Sequence, residues 1–288
     1  MQVRSALLSL LAALGACATT PAAPPAELRA EPFYAKHVSA EGIPILASAK
    51  VPDKALLAAR DMIRGMLSYR PDLAQWLAEN DYRVAIIAED EALLDLPDKA
   101  NWQKPSRDDP RLTRCERKLY DERIGILTAR EYWDRRARGI GGERTAGSEE
   151  DILGYRSSRY WGETIFVHEF AHNVLFAIEG ADPALYREVE AAYANALANG
   201  LWLNEYTTTT VQEYWAEGTQ FWFDSNRLQA FDGRQILGHE DLAAYDPMLF
   251  AALKQAYGDN HRLGSDPFWM SEARIPPGPL PTNTAEVC

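Results

Sequence analysis

Residues 160–179 read YWGETIFVHEFAHNVLFAIE, and apolar side chains occupy nearly every face that a helix over this segment would present. A helix that is apolar all round belongs in the interior of a domain. Gly180 favours the end of such a helix, and Pro183 prevents its continuation. The sequence therefore predicts a buried central helix over Tyr160–Glu179, around which the rest of the domain packs.

Two histidines in this segment are spaced as metal ligands. His168 and His172 are four residues apart, so both imidazoles lie on one helical face and can bind one ion. Glu169 is displaced from that face but can reach a water molecule that the ion activates. A pair of structural core histidines is the alternative, which the buried Glu169 disfavours because a buried carboxylate needs a partner. We predict one zinc ion per chain, with Glu169 as general base.

A catalytic zinc needs a third protein ligand, and Glu213 is the main candidate. Glu213 and Glu217 are four residues apart in the aromatic-rich segment VQEYWAEG. Two acids buried together repel unless a cation or a histidine N–H lies between them. We therefore predict Glu213 as a metal ligand and Glu217 as the acceptor for a ligand histidine's N–H. Glu205 is an alternative ligand, and a solvated acidic face is the alternative for the pair.

These motifs together resemble zincin peptidases of the gluzincin type. Glu213-Tyr214-Trp215-Ala216-Glu217 is similar to the Glu-aromatic-Phe-Ala-Glu of the anthrax lethal factor catalytic-domain family, which has a tyrosine seven residues before its ligand glutamate. Tyr206 matches that tyrosine, and the resemblance implies that it stabilises the oxyanion or protonates the leaving amine. Thr210 departs from the family, which has Asn there. The likeness covers about residues 160–225.

The N-terminus predicts export. Arg4, an apolar run over residues 6–14 and small residues after it are typical of a signal peptide, because the run is short for a bilayer span. Leu14-Gly15-Ala16-Cys17 resembles a bacterial lipobox, which implies a signal peptide over 1–16, a lipid on Cys17 and an envelope location. Ala18, not Asp, is compatible by the same resemblance with the outer membrane. An ordinary secretory signal is the alternative. Residues 17–30 predict a flexible membrane tether.

The charge of the chain restricts its possible binding partners, and its cysteines indicate a disulfide bond. The chain has 30 Lys+Arg and 42 Asp+Glu, a net charge of -12, and no basic patch, which excludes a nucleic-acid partner. Disulfides persist in exported proteins, so Cys115 and Cys288 are predicted to pair. The oligomeric state is not predictable from these features.

Residues 31–288 are predicted to form a single α+β domain, rich in helix, with a small sheet beside the central helix. Gly139–Gly142 is predicted to be a flexible loop near a cleft, Asn173 a helix-surface amide, and Glu149–Asp151 a solvated loop or helix start. The remaining predicted elements are helices at Asp53–Tyr69, Pro71–Glu79, Asp182–Ala198, Val211–Asp224 and Asp241–Tyr257 and strands at Tyr82–Ala88 and Arg123–Thr128.

The sequence thus favours a lipid-anchored zinc metallopeptidase, and an endopeptidase over an exopeptidase. Its predicted substrate is a peptide or protein, and its predicted contact with the membrane is through the N-terminal lipid only. Two alternatives are an inert zincin-fold lipoprotein that binds an envelope component and a zinc hydrolase of a non-peptide bond. Glu169 counts against the inert protein, because a purely structural metal site has no use for a general base.

Overall fold

The computed structural model describes residues 20–110, 112–231 and 233–279. Its main sheet has four strands in the order β1 (Lys36–Ala40), β2 (Ile43–Ala47), β3 (Arg83–Ile87) and β4 (Arg144–Ser148). β1 and β2 form an antiparallel hairpin whose turn residues Glu41 and Gly42 both have positive φ, as a two-residue hairpin turn requires. β2, β3 and β4 are parallel, and a small hairpin of β5 (Gln229–Phe231) and β6 (Arg234–Ile236) lies apart from them.

Helices hold far more of the described residues than strands do, which confirms the predicted helix-rich α+β class with a small sheet. In chain order they are α1 (Asp53–Leu67), α2 (Pro71–Glu79), α3 (Arg114–Lys118), α4 (Ala129–Arg136), α5 (Glu149–Ile152), α6 (Ile165–Ala181), α7 (Pro183–Ala198), α8 (Val211–Trp222), α9 (His239–Tyr245) and α10 (Pro247–Tyr257). None of the helices in the described ranges is long and apolar enough to cross a membrane.

The central helix α6 is as buried as its composition predicts. It contacts β4 on one side and α2, α7 and α8 on others, with Phe166, Phe170 and Val174 in the core. Its N-terminus is capped by a side chain from elsewhere in the chain, since the Asp151 carboxylate accepts the backbone N–H groups of Ile165 and Phe166 at 3.2 and 2.9 Å. Glu149–Asp151 starts α5 but is buried, so the prediction of a solvated segment is wrong.

One of two smaller hydrophobic clusters lies in the connection between β3 and β4. Leu112, Tyr120, Ile124, Leu127 and Tyr132 pack together there, separate from the main core. Residues Asp121–Gly125 form a π-helical turn, so the predicted strand over Arg123–Thr128 is wrong. The apolar side chains that suggested a strand do not share one environment, since Ile124 is buried in the cluster whereas Ile126 is exposed. Cys115 in α3 is disulfide-bonded, and Cys17 and Cys288 both lie outside the described residues.

The last predicted helix is two helices. Asp246 leaves the helical conformation, with φ -128° and ψ 78°, because the residue before a proline is disfavoured there. Its buried carboxylate then caps α10 by accepting the Leu249 N–H at 3.1 Å, and it also accepts Trp202 Nε1 and the Tyr214 hydroxyl at 2.9 and 2.7 Å.

The domain begins before the predicted boundary at residue 31. Ala22 pairs with His37 of β1 through two backbone hydrogen bonds of 3.0 and 2.7 Å. A 3₁₀ turn at Ala26–Leu28 follows, and the Leu28 carbonyl accepts Arg83 Nη1 at 2.9 Å. Residues 22–30 therefore lie against the sheet and are not a free tether. The predicted signal peptide and Cys17 are outside the described residues.

Candidate metal centre

His168, His172 and Glu213 converge on one point. Each offers a ligand atom, and these atoms lie within 4.8 Å of one another. The shortest approach joins His168 Nε2 to Glu213 Oε2 at 2.9 Å, and His172 Nε2 lies 3.8 Å from the same oxygen. Two imidazoles and one carboxylate are the donor set of many catalytic zinc sites. The three residues thus fit a zinc ion.

Two packed helices bring these groups together. The histidines lie on one face of α6, and Glu213 lies in the first turn of α8, which crosses α6. Thr210 holds the start of α8 because its Oγ1 accepts the Glu213 N–H at 3.1 Å. Threonine is a good N-cap residue, so its departure from the lethal-factor pattern leaves the helix start, and therefore Glu213, well ordered.

The His168 imidazole is oriented by two acceptors near its Nδ1 atom. Its Nδ1 lies 3.0 Å from Gln220 Oε1 and 3.5 Å from Glu217 Oε1, and with the proton on Nδ1 the Nε2 lone pair is free for a metal. Glu217 is itself held, since its Oε2 accepts Asn226 Nδ2 and Gln229 Nε2 at 2.9 and 3.0 Å. The structure brings the predicted Glu217 to this position and adds Gln220 as the nearer partner.

Gln220 was missed by sequence reasoning, although a signal exists. Positions 213, 217 and 220 follow the i, i+4, i+7 spacing of one helical face. Its side chain spans the two helices, because Nε2 donates to the Thr164 carbonyl at 3.2 Å while Oε1 faces His168.

The electrostatics of the centre favour a cation. Burial opposes a charge on His168, but its hydrogen bond to the Glu213 carboxylate and the charges of Glu217, Glu169 and Glu213 raise its pKa to about 10. Burial and the neighbouring His168 lower the pKa of His172 to about 4. The surrounding carboxylates thus favour a positive charge at this position.

Glu169 lies beside the ligands and faces the glycine-rich segment Gly139–Gly142. Burial is the main cause that raises its pKa to about 7, while the backbone N–H of Gly141 donates to its carboxylate and lowers the pKa. A pKa near the working pH suits a group that must both accept and return a proton.

The glycine-rich segment is a fixed wall and not the flexible loop that was predicted. Ile140 forms two backbone hydrogen bonds with Ala146 of β4, at 3.0 and 2.9 Å. Asn173 is buried, which corrects its prediction as a surface amide: its Oδ1 accepts the Gly142 N–H at 3.0 Å and its Nδ2 donates to Thr145 Oγ1 at 2.6 Å. Asn173 therefore ties the wall to the metal-binding helix.

Tyr206 is at the centre, whereas Glu205 is not among its ligands. The Tyr206 hydroxyl donates to the Glu213 carboxylate, and its ring centroid lies 6.4 Å from that of His168. Tyr206 is 40% exposed, and its partial burial together with the charge of Glu213 raises its pKa, so it stays protonated and able to donate. Glu205 is buried nearby but does not belong to the group of His168, His172 and Glu213.

The centre opens into a cleft of about 610 Å³. The glycine-rich segment forms one wall, and the end of α4 contributes Trp133 and Arg136. Tyr160, Phe176 and Tyr206 add aromatic surface, so the cleft combines apolar walls with a few polar groups, as ligand sites generally do.

Comparisons with known proteins add little to this geometry. No protein-family model matches the chain, and no curated protein sequence matches it. A solved structure of the Pro-Pro endopeptidase PPEP-2 from Paenibacillus alvei is similar over 73% of this chain and 96% of that chain, with 14% sequence identity and a TM-score of 0.44. A likeness this distant carries no weight for function, which depends on the residues of the centre.

Proposed function

We propose that the chain is an exported, lipid-anchored, zinc-dependent metallopeptidase that cleaves within peptide chains. The observation that carries the proposal is the convergence of His168, His172 and Glu213 within 4.8 Å, with Glu169 beside them at the floor of a cleft. A structural metal site has four protein ligands and no need of an adjacent base. Three ligands, a base and an open cleft favour catalysis.

The side chains have separable roles in peptide hydrolysis. His168, His172 and Glu213 would hold the zinc ion, which when bound polarises the scissile carbonyl and makes a water molecule acidic. A Glu169 carboxylate oxygen accepts the proton of the attacking water and delivers it to the leaving nitrogen. The Tyr206 hydroxyl, which donates to Glu213 in this structure, would turn to donate a hydrogen bond to the oxygen that becomes negatively charged. Gln220 and Glu217 keep the His168 ring oriented throughout.

Metal content is the first test. We expect about one zinc per chain in protein purified without added metal, as measured by elemental analysis. His168→Ala should lose the metal, whereas His37→Ala, which removes an imidazole from β1, should keep it. A wild-type protein that neither contains zinc nor takes it up on titration would remove the basis of the proposal.

Activity is tested with Glu169→Gln. This variant should keep its zinc, because Glu169 is outside the ligand group, and lose peptide cleavage by at least about a hundredfold. Product masses from a mixed peptide library separate internal cleavage from the removal of terminal residues. Equal cleavage by the variant would exclude Glu169 as the base, and zinc-loaded protein that cleaves only non-peptide esters or amides would support the second hydrolase class.

The membrane anchor rests on the lipobox-like Leu14–Cys17. In bacteria that carry the full chain, we expect incorporation of a labelled fatty acid and recovery of the protein with membranes. Cys17→Ser should abolish both. A wild-type chain that is exported but carries no label would point to the ordinary secretory signal.

A further inference from the structure

Glu163 is an acidic residue of the cleft that the metal centre does not use. It lies two residues before α6 and lines the cleft together with the metal-binding group. Its side chain is 16% exposed, so the carboxylate is largely removed from bulk water but reaches the cleft. Because burying a carboxylate is costly, such a group needs a cationic or hydrogen-bonding partner.

The protein supplies only part of that partner. Arg227 Nη2 pairs with Glu163 Oε1 at 3.3 Å, but the donors of the same guanidinium are shared with two carbonyls, since Nε donates to Trp161 O and Nη2 to Arg159 O, both at 3.0 Å. Over the described residues, no donor hydrogen-bonds to the Glu163 carboxylate. Burial accordingly raises the pKa of Glu163 to about 7, although Arg227 opposes the shift.

The other buried acid of this region shows the contrast. Glu217 accepts two amide hydrogen bonds and lies beside His168, so its lone pairs are used inside the protein. Glu163 is somewhat more exposed, at 16% against 10% for the Glu217 side chain, and lines the same cleft, where its carboxylate retains acceptor capacity.

The charge of the cleft points in the same direction. Its charged lining consists of Glu163, Glu169, Glu213 and Glu217 against Arg136 alone, and the Arg136 guanidinium already pairs with Glu116 at 2.8 Å. Glu213 is a metal ligand, Glu169 a base and Glu217 a partner of His168. Glu163 is therefore the acid left for the substrate.

We propose that Glu163 is a specificity-determining residue that binds the cationic side chain of a lysine or arginine next to the scissile bond. This inference rests on the proposed peptidase function. The ammonium or guanidinium group would supply the hydrogen bonds that Glu163 lacks and would share the carboxylate with Arg227, which lies 3.3 Å from Glu163 Oε1.

The test uses two random-sequence peptide pools that differ at one fixed central position, lysine in one and norleucine in the other. Norleucine keeps the apolar stem and lacks the ammonium group. For the zinc-loaded wild type, we expect kcat/KM for cleavage beside the fixed residue to favour lysine by about tenfold or more. Glu163→Gln should reduce that ratio towards one. Glu190→Gln, which removes the same charge from the exposed face of α7, should leave it unchanged.

A binding measurement makes the result independent of turnover. Glu169→Gln protein should bind the lysine pool about tenfold more tightly than the norleucine pool, and the double variant with Glu163→Gln should lose that difference. Selective binding without any cleavage by the wild type would contradict the peptidase and retain the role of Glu163. The inference would be overturned if the wild type treated the lysine and norleucine pools equally, if neither pool bound, or if the preference for lysine survived Glu163→Gln. The comparison of the two pools with the wild type does not depend on the folding of any variant.

Discussion

Gly141→Ala should damage the metal centre although Gly141 contributes no ligand. A Cβ at this position would lie 2.7 Å from His172 Cδ2, 2.8 Å from the Glu169 backbone oxygen and 2.9 Å from His172 Cβ. The segment cannot retreat freely, because Ile140 is bonded twice to Ala146. Either the wall or the His172 ring must move.

The cost of such overpacking is about 1–3 kcal/mol. If the wall moves, the free energy of unfolding falls by that amount, which lowers Tm by about 2–4 °C for each kcal/mol in a chain of this size. If the His172 ring moves, the cost instead weakens zinc binding by about fivefold to 150-fold. Thermal unfolding with and without zinc, together with a zinc titration against a competing chelator, measures both quantities on the same protein.

Gly264→Ala is the matched control, because nothing lies within 4 Å of its added methyl group and its φ is ordinary. It should keep both the Tm and the zinc affinity of the wild type. If Gly141→Ala behaved like this control in both assays, the tight contact between the glycine-rich wall and the metal-binding helix would be refuted.

Three further predictions follow from the packing around the centre. Gln220→Ala should weaken zinc binding by about tenfold to a hundredfold in a chelator competition, because the His168 ring loses its orienting acceptor; unchanged affinity would exclude that role. Asp246→Ala should lower the free energy of unfolding in urea by about 3 kcal/mol or more, because it leaves the Trp202 and Tyr214 donors buried without their acceptor; a loss below about 1 kcal/mol would contradict this. Burial raises the pKa of Asp266 to about 6, so the folded state keeps a proton that the unfolded state releases near 3.8, and stability falls as the pH rises from about 4 to about 6. In metal-free protein, the free energy of unfolding of the wild type should fall between pH 4 and pH 7 by roughly 1–3 kcal/mol more than that of Asp266→Asn. If both proteins lost the same free energy of unfolding over this range, the pKa shift would be absent.

The helices around the centre were predictable because their signals are local. The spacing of His168 and His172, and of Glu213 and Glu217, depends only on the geometry of one helix at a time. That Gln220, and not Glu217, is the nearer partner of His168 depends on how α8 crosses α6. No spacing within one helix contains that information.

Most strands of the sheet were not predictable from the sequence, because they depend on contacts with distant parts of the chain. β3 was predicted from its apolar run, but β4 reads Arg-Thr-Ala-Gly-Ser and β2 contains Pro44, which normally argues against a strand. Pro44 pairs with Ser39 of β1 only, since the pairing of β2 with β3 starts at Ile45. Within the described strands, one side of β2 is therefore unpaired at Pro44, and a proline is tolerated there. Partners far along the chain thus decide these strands. The burial of Asn173 has the same origin, since the groups that it bonds belong to the β4 region.

The pairing of Ala22 with His37 limits how far the sheet can lie from a membrane to which Cys17 is anchored. If Cys17 carries the lipid, four residues lie between it and Ala22, the first residue paired with the sheet, and five residue-to-residue steps connect the two. Fully extended, they span at most roughly 18 Å, well below the diameter of a domain of this size. The domain would lie close to the lipid surface with a restricted choice of orientations, and the proposed peptidase activity would be limited to substrates whose cleavable segments come within that narrow layer.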